Sequence, residues 1–299
     1  MVAMFVVALV IPESFDDLEG GLSGPLVLVG GYFVVRVIHS VLYFIAAGDD
    51  AALRRQILRT GTGILVSVGL LATGAILGGP AQTWFWLAAV VADGLLIYAT
   101  SAGGDWRVHS AAHWAERHGL VMILALGESI VAIGVGAANE AISVPILTGV
   151  LLAITLTISL WWVYFARVAS AAEHLLARTQ GVRRAQLASD AYTYLHFLMI
   201  AGIVISALGV EEAIAYAAKS EVLGLFGASA LFGGTALYIA GHAFFWRRMS
   251  GRWNALQFGA ATLLIALIPV ALVLPALVCL ALVAAVVIAT AATQRVVTA

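Results

Sequence analysis

The stretch HWAERHGLVMILALGESIVAIG, residues 113–134, passes from a cluster of His, Glu and Arg side chains directly into an apolar run. Runs of this kind recur along the whole chain of 299 residues, of which 63% are hydrophobic and only 10% charged. A soluble domain usually carries about 25% charged residues. Because the runs are continuous and do not alternate with a period of two, they predict an all-α, polytopic helical membrane protein and not a β-barrel.

Composition and motifs narrow the range of partners and functions. The formal net charge of -1 argues against a nucleic-acid partner, whereas the hydropathy implies the lipid bilayer. The single cysteine, Cys279, excludes an intrachain disulfide. The chain has no Gly-x-Ser-x-Gly sequence, no phosphate-binding glycine loop and no His-Glu-x-x-His sequence. The sequence therefore assigns no catalytic residue and no cofactor, and it leaves enzymatic activity and oligomeric state open.

Ten apolar segments are predicted, and all but the first are full spans. Residues 1–11 are either half-buried or preceded by further natural sequence, since a full span needs about 20 residues. Residues 256–293 are too long for one helix, so we divide them into two spans at a tight turn near Leu274, between Pro269 and Pro275. All segments are predicted to form one integral membrane domain, residues 1–299. The other full spans are predicted at residues 26–47, 61–77, 83–100, 120–136, 145–168, 192–210 and 222–246.

Basic residues collect in every second loop, and the intervening loops are acidic with Lys219 as their only basic residue. Because basic loops tend to remain cytoplasmic, this alternation predicts a cytoplasmic C-terminus. The basic loops hold Arg54, Arg55, Arg59, Arg107, Arg117, Arg178, Arg183, Arg184, Arg247, Arg248, Arg252 and Arg295. The acidic loops hold Glu13, Asp16, Asp17, Glu19, Glu140, Glu211, Glu212 and Glu221.

Three charged side chains, Arg36, Asp93 and Glu128, lie deep in predicted spans and are candidates for a functional site. Each would cost about 2.5–3.5 kcal/mol alone at the middle of the membrane. We therefore expect all three to turn inward to one polar site. One cation and two anions leave one negative charge, which a proton, the nearby His39 or a bound cation would neutralise. A carboxylate that takes up this proton is a candidate proton carrier.

Ser129, His196 and His242 complete the buried polar site that the sequence predicts. Ser129 directly follows Glu128, and the two histidines lie in the cytoplasmic halves of their spans. A structural role is the alternative: each histidine would also serve as a hydrogen-bonding partner for a neighbouring helix. A buried Arg–carboxylate pair would likewise serve to fix helix packing alone.

Two further groups of side chains lie near the ends of spans. Trp161, Trp162 and Tyr164 are typical of an interfacial aromatic belt. In the loop at residues 105–118, His109 and His113 have a spacing that can bind a metal ion, with His118 and Glu116 nearby. Membrane metal sites of this type need several such boxes, and no second box is present, so no metal is predicted. We interpret His113, Glu116 and Arg117 as the cytoplasmic entry of the fifth span.

One set of motifs runs through the chain in a recognisable order. It begins in the opening stretch with His113, Glu116, Arg117, Gly119 and Leu120, followed by Leu126-Gly127-Glu128-Ser129. The other pieces are Ile11-Pro12-Glu13-Ser14-Phe15-Asp16, Asp93, Trp161-Trp162-Val-Tyr164-Phe165, Tyr192-Thr-Tyr194-Leu-His196 and Gly241-His242 with Arg247. Together they resemble the signature of the bacterial low-temperature-requirement A family over essentially the whole chain.

The resemblance implies a polytopic protein of the bacterial inner membrane, without a defined reaction. Two departures from the family pattern remove candidate carboxylates. Family members usually begin with two further spans that carry a Glu-x-Phe-Phe-Asp-Leu-type motif; the short first segment leads us to expect that this region is missing from this sequence, as in a fragment, a misplaced start or a diverged activity. The Asp that the family has after Phe165 is Ala166 in this chain.

The leading functional hypothesis is a transporter or channel-like protein, proton-coupled, with an intramembrane site of Arg36, His39, Asp93 and Glu128. One alternative is an intramembrane enzyme that acts on a lipid or isoprenoid, with the same carboxylates as general acid and base. Another is a stress-response membrane scaffold without turnover. A narrow polar path reaching both faces would favour transport, and a wide lipid-open cavity around Glu128 would favour the enzyme. The sequence does not identify the solute, proton or lipid that is moved or bound.

Overall fold

The computed structural model describes residues 2–15, 21–101, 108, 110–138, 140–219 and 221–293. The chain separates into two compact units, Met1–Arg107 and Val108–Ala299, and each unit is described by itself. The single domain over residues 1–299 stays a prediction. Several charged or titratable residues considered above lie outside the described residues, namely Asp16, Asp17, Glu19, Arg107, His109 and Arg295.

The described part of the first unit is built from α-helices. α2 begins with Pro25 in its first turn, where the fixed backbone angle of proline suits a helix start. α3 begins at the N-cap Asp50, whose carboxylate accepts a hydrogen bond from the Leu53 amide at 3.1 Å. The helices are α1 (Val2–Val10), α2 (Gly24–Ala46), α3 (Ala51–Leu77) and α4 (Gly79–Ser101).

α3 and α4 form a hairpin whose turn depends on glycine. Gly78 and Gly79 have φ angles of 64° and 53°, in the region that glycine adopts without steric cost. Gly74 on α3 lies against the ring of Trp86 on α4. The Trp86 indole N–H donates to the Leu71 carbonyl at 3.0 Å, so the ring is both packed and hydrogen-bonded against α3.

The second unit contains the remaining α-helices and two π-helical segments. The segment Ala188–Leu195 joins α8 to α9, and the segment Ser229–Gly233 joins α10 to α11, so each pair forms one long helix. The helices are α5 (Ala111–Ala137), α6 (Val144–Phe165), α7 (Val168–Arg178), α8 (Gly181–Leu187), α9 (His196–Ala215), α10 (Gly224–Ala228), α11 (Gly234–Ser250), α12 (Ala255–Ala271) and α13 (Ala276–Thr293).

α9 lies in backbone contact with its neighbours α11 and α5. A Cβ atom at Gly202 on α9 would overlap the backbone of Tyr238 on α11, and one at Gly234 on α11 would overlap the backbone of Ser206 on α9. α5 approaches α9 in the same way at Gly136. Small residues permit this approach in membranes, where dispersion packing and not the hydrophobic effect holds helices together.

The predicted fold class is confirmed. Eight helices among the described residues are long and apolar enough to cross a membrane, and Ala255–Ala271 is apolar but shorter. The division of the tail is also confirmed, because α12 ends at Ala271 and α13 begins at Ala276, on either side of Leu274. α3 begins well before the predicted start at residue 61, because its helix continues past the apolar run into the arginine-bearing turns.

The backbone contact between α9 and α11 generates a stability prediction. Gly202→Ala places a methyl group on the backbone of Tyr238, and we expect a loss of about 1–3 kcal/mol in the free energy of unfolding from overpacking. Gly134→Ala is the matched control, since a Cβ at Gly134 on α5 meets no atom within 4 Å. The measurement is the thermal unfolding midpoint of the full chain in detergent, and equal midpoints for the two variants would contradict the close approach.

Candidate functional site

An ion pair joins α2 to α4 within the first unit. Arg36 Nη2 donates to Asp93 Oδ1 at 2.9 Å, with the two side chains 23% and 21% exposed. The Ser67 hydroxyl on α3 lies 3.2 Å from the same carboxylate oxygen and 3.0 Å from the Gly63 carbonyl, so its one hydrogen serves either acceptor. Two of the three predicted mid-span charges are thus brought together, and they neutralise each other.

Tyr32 and His39 lie on α2 on either side of Arg36. The ring centroid of Tyr32 lies 5.7 Å from the guanidinium carbon of Arg36. The expected burial of His39 is corrected: the side chain is exposed and its ring lies 4.7 Å from the ring of Tyr43. The physical reason is that the Arg36 charge is already balanced by Asp93, so the pair requires no contribution from His39.

Glu128 and Ser129 lie on different faces of α5 in the second unit. Ser129 is 3% exposed, on the face of small residues that packs toward α9, and its hydroxyl has no hydrogen-bond partner among the described residues. The expected inward burial of Glu128 is corrected, because its side chain is exposed on a face it shares with Leu124 and Val131. The buried residues of α5 recur every three or four positions, for example at Ala125, Ser129 and Ala132, and Glu128 lies outside this series. A joint site of Glu128 with the charges of the first unit stays a prediction.

The core of the second unit holds a cluster of five ring side chains, which we call the histidine–tyrosine cluster: His118, Tyr164, Tyr192, His196 and His242. Tyr164 and His196, each 1% exposed, are joined by a 2.8 Å hydrogen bond between the hydroxyl and Nε2. Tyr192 stacks on His196 with ring centroids 5.0 Å apart. His118 lies 5.4 Å from His196, and His242 lies 6.5 Å from Tyr164. Because His118 is only partly buried, the cluster extends from the helix surface into the core.

The hydrogen bonds of the histidines define which nitrogen carries the hydrogen. In His118, His196 and His242 the Nδ1 atom lies beside a carbonyl oxygen, which can only accept. Nδ1 is therefore the donor in His118 and His196, whose partners are backbone carbonyls, and in the neutral imidazole Nε2 keeps its lone pair. At His196 this lone pair accepts the Tyr164 hydroxyl. The carbonyls belong to Trp114 at 2.9 Å, Ala191 at 3.3 Å and the side chain of Gln257 at 3.2 Å.

A π-helical segment positions His196. The segment Ala188–Leu195 ends immediately before this residue, and the carbonyl that accepts from its Nδ1 belongs to Ala191, five residues earlier. π turns widen a helix locally and are frequent at functional sites. The segment thus orients the ring so that Nε2 meets Tyr164 on the neighbouring α6.

Some residues of the predicted aromatic belt and of the predicted loop cluster lie where the sequence predicts them, and others do not. Trp161 and Trp162 are 41% and 53% exposed, as in a belt, whereas Tyr164 is buried, and the belt interpretation is wrong for it. His113, Glu116 and Arg117 lie in the first turns of α5, where His113 and Glu116 form an exposed contact of 3.8 Å. Among the residues that the structure describes, no group of three or more His, Cys, Asp or Glu side chains is arranged to hold a metal ion.

Sequence reasoning missed three members of the histidine–tyrosine cluster. His118 was assigned to the loop, Tyr164 to the belt, and Tyr192 was treated only as part of a motif. One signal was available: Tyr192 and His196 are four residues apart, and residues at this spacing share one face of a helix. No spacing rule connects His118 or Tyr164 to His196, because these contacts join different helices.

Comparison with known proteins places these residues in a family context. The sequence model described as "Bacterial low temperature requirement A protein (LtrA)" matches residues 1–292, which confirms the resemblance. An uncharacterized protein of Rhizobium meliloti (strain 1021) is 25% identical over 258 residues, which are 83% of this chain and 60% of that protein. The chain thus spans 60% of the length of this curated relative. No solved structure matches.

The Arg36–Asp93 pair generates a second prediction. Arg36→Met and Asp93→Asn each leave one charge unpaired in a span, and we expect each to lower the free energy of unfolding by about 2.5–3.5 kcal/mol. The double variant should lose less than the sum, because it leaves no unpaired charge. The measurement is thermal unfolding of the full chain in detergent for the wild type, the two single variants and the double variant, which together form a double-mutant cycle.

Arg59→Gln is the control, because Arg59 is an exposed arginine of the same unit. It should leave the unfolding midpoint unchanged. Losses that simply add in the Arg36/Asp93 double variant would show that the two side chains do not stabilise each other.

Proposed function

The chain belongs to the bacterial low temperature requirement A family, and we propose that it is a proton-coupled transporter of the bacterial cell membrane. The observation that carries this proposal is the 2.8 Å hydrogen bond between Tyr164 and His196, both buried in membrane-spanning helices. A helix interface that needs only packing is satisfied by apolar side chains. Ionisable residues inside a membrane bundle are expensive, and they mark proton and solute pathways.

Proton movement through the cluster follows from its hydrogen-bond pattern. His196 Nε2 has a lone pair that can take a proton, while Nδ1 keeps its own hydrogen on the Ala191 carbonyl. When Nε2 is protonated it becomes the donor, and the Tyr164 oxygen becomes the acceptor. His118 provides the entrance, since it is partly exposed and its ring lies 5.4 Å from His196.

Carboxylates in the spans are the second element of the proposal. Glu128 has an exposed side chain on α5, in a membrane-spanning helix, where a carboxylate that binds and releases a proton can couple proton movement to a solute. The Arg36–Asp93 pair, together with Ser67, offers a hydrogen-bonding site for a polar solute in the first unit. The solute itself is not named by these residues.

We also propose that the C-terminus is cytoplasmic. Arginines lie near the ends of membrane-spanning helices in both units, and basic ends of this kind face the cytoplasm. Examples are Arg54 and Arg55 in the first turns of α3, and Arg247 and Arg248 in the last turn of α11. A reporter fused to the C-terminus tests the orientation, because alkaline phosphatase is active only outside the cytoplasm and a fluorescent protein folds inside it.

Loss of the buried histidine should abolish proton movement. In proteoliposomes with an entrapped pH dye and a membrane potential clamped by valinomycin, we expect His196→Gln to lower proton flux by roughly tenfold or more. Tyr164→Phe, which removes only the hydroxyl, should lower the flux by a smaller factor. His113→Gln is the matched control, because His113 is exposed on α5 outside the cluster.

Three outcomes would contradict this proposal. One is wild-type flux no greater than that of empty liposomes. Another is equal flux for His196→Gln and His113→Gln when both variants elute from size exclusion as the wild type does. The third is flux that Tyr164→Phe leaves unchanged, because the hydroxyl is the proton partner of His196.

Replacing the carboxylates of Glu128 and Asp93 with neutral carboxamides tests separately whether they couple proton movement to a solute. Glu128→Gln and Asp93→Asn keep side-chain size and remove the exchangeable acid, so both should lower pH-driven flux in the same liposomes. Glu140→Gln is the control, because Glu140 lies beyond the end of α5 and pairs with Lys219 at 3.3 Å. Unchanged flux in both test variants would refute a role of these carboxylates in coupling.

A further inference from the structure

A basic pocket lies at one end of the second unit, where the end of α7, the helix α8 and the end of α11 come together. It has a volume of about 880 Å³, within the range of pockets that bind small ligands. Its walls include four arginines, Arg178, Arg183, Arg247 and Arg248, and no acidic side chain. We call it the arginine pocket. All its lining residues belong to one unit, and it is separate from the histidine–tyrosine cluster.

The charge of the arginine pocket is only partly balanced by the protein. Arg248 donates through Nε and Nη2 to the same Asp190 oxygen at 3.0 and 2.8 Å. Arg247 donates a hydrogen bond to the Gly251 carbonyl, and its guanidinium carbon lies 4.8 Å from the centroid of the Trp253 ring. These contacts hold the side chain in place but do not neutralise its charge. One carboxylate, that of Asp190, therefore balances only one of the four arginine charges of the pocket.

Arg178 and Arg183 are the two arginines of the pocket that remain available. Both side chains are exposed, and their guanidinium groups make no hydrogen bond or ion pair with the residues that the structure describes. Guanidinium groups bind phosphate oxygens through paired N–H donors, and several of them in one pocket concentrate positive potential on the ligand. The pocket chemistry therefore fits a phosphate group.

The arginine pocket lies near the membrane surface and has an apolar wall in addition to its arginines, and both features favour a lipid as the source of that phosphate. Arg247 and Arg248 lie in the last turn of a membrane-spanning helix, at the level where headgroups begin. The apolar wall consists of Leu187, Leu195, Phe244 and Met249. Phe244 and Trp253 are exposed, with ring centroids 6.5 Å apart, as aromatic residues at a membrane interface are. Basic pockets between helices at this level bind anionic headgroups.

We propose that the arginine pocket binds the headgroup phosphate of an anionic phospholipid, with Arg178 and Arg183 as the phosphate-binding side chains. Arg247 is held by Trp253 and Gly251, and Arg248 by Asp190, so these two shape the pocket. The apolar wall receives the glycerol backbone and the start of an acyl chain. This site does not depend on proton transport, and it gives the protein a preference for anionic membranes.

The test uses the purified full chain in a neutral detergent, with bound lipid counted by native mass spectrometry. Phosphatidylglycerol, zwitterionic phosphatidylcholine and water-soluble glycerol 3-phosphate are titrated separately. We expect the wild type to retain phosphatidylglycerol at least fivefold more than phosphatidylcholine. The double variant Arg178→Gln/Arg183→Gln should lose this preference. Arg55→Gln/Arg59→Gln is the matched control, because both of its arginines are exposed on α3 in the other unit.

Each outcome decides the proposal. Selective loss in the Arg178/Arg183 variant, with the control unchanged, supports it. Equal loss in both double variants overturns it, because the effect would then be one of total charge. Equal retention of the two lipids overturns the assignment of anionic headgroup binding. Binding of glycerol 3-phosphate that is as strong as that of phosphatidylglycerol overturns the lipid source. Thermal unfolding without added lipid checks that both double variants are folded.

Discussion

The contact between the backbones of α9 and α11 is the constraint on which the second unit depends. Gly202 and Gly234 let the two helices touch, and Gly241 continues the contact against Met199. Where the backbones meet there is no room for side chains, so the large rings lie beyond the crossing. There His196 of α9 packs against Phe245 of α11 with centroids 4.8 Å apart. The backbone contact between α9 and α11 therefore also positions the histidine–tyrosine cluster, because it fixes the distance between two of the helices that carry the cluster.

The hydrogen bonds of the histidine–tyrosine cluster give His196 a partner that suits both of its protonation states. A buried imidazole needs partners for both nitrogens, and backbone or amide carbonyls supply one of them at every described histidine of the cluster. The second nitrogen of His196 finds a tyrosine hydroxyl, which is able both to donate and to accept. A partner of this kind stays hydrogen-bonded whether or not the ring carries an extra proton. A backbone carbonyl in the same place would accept only from the protonated ring.

Hydropathy predicted the helices well and their faces poorly, for one physical reason. Lipid and protein interior are equally apolar, so an apolar run shows that a helix spans the membrane and does not show which side faces the protein. α5 illustrates this limit: Met122 is fully buried and Leu124 is 74% exposed, although both are large and apolar. The outward direction of Glu128 belongs to the same limit, because the apolar residues around it in the sequence do not show which face of α5 packs against the protein. The ion pair of Arg36 was predictable, because a lone charge in a span is costly and Asp93 offers the opposite charge in a neighbouring span.

The polar groups in the middle of the membrane-spanning helices carry a different charge from those at the helix ends. This difference bears on which ion could be coupled to the transport that we propose. In the first unit Arg36 is balanced by Asp93, and in the second unit the Nδ1 atoms of His118 and His196 lie beside backbone carbonyls that can only accept. The arginine pocket at a helix end is positive, where headgroups and water can compensate it. The Nε2 lone pair of His196, which accepts the Tyr164 hydroxyl, can take up a proton when that hydrogen bond reverses its direction. A larger ion would need a hydration shell or several new ligands there. In the transport that we propose, this difference in cost favours a proton over a larger ion as the coupling ion.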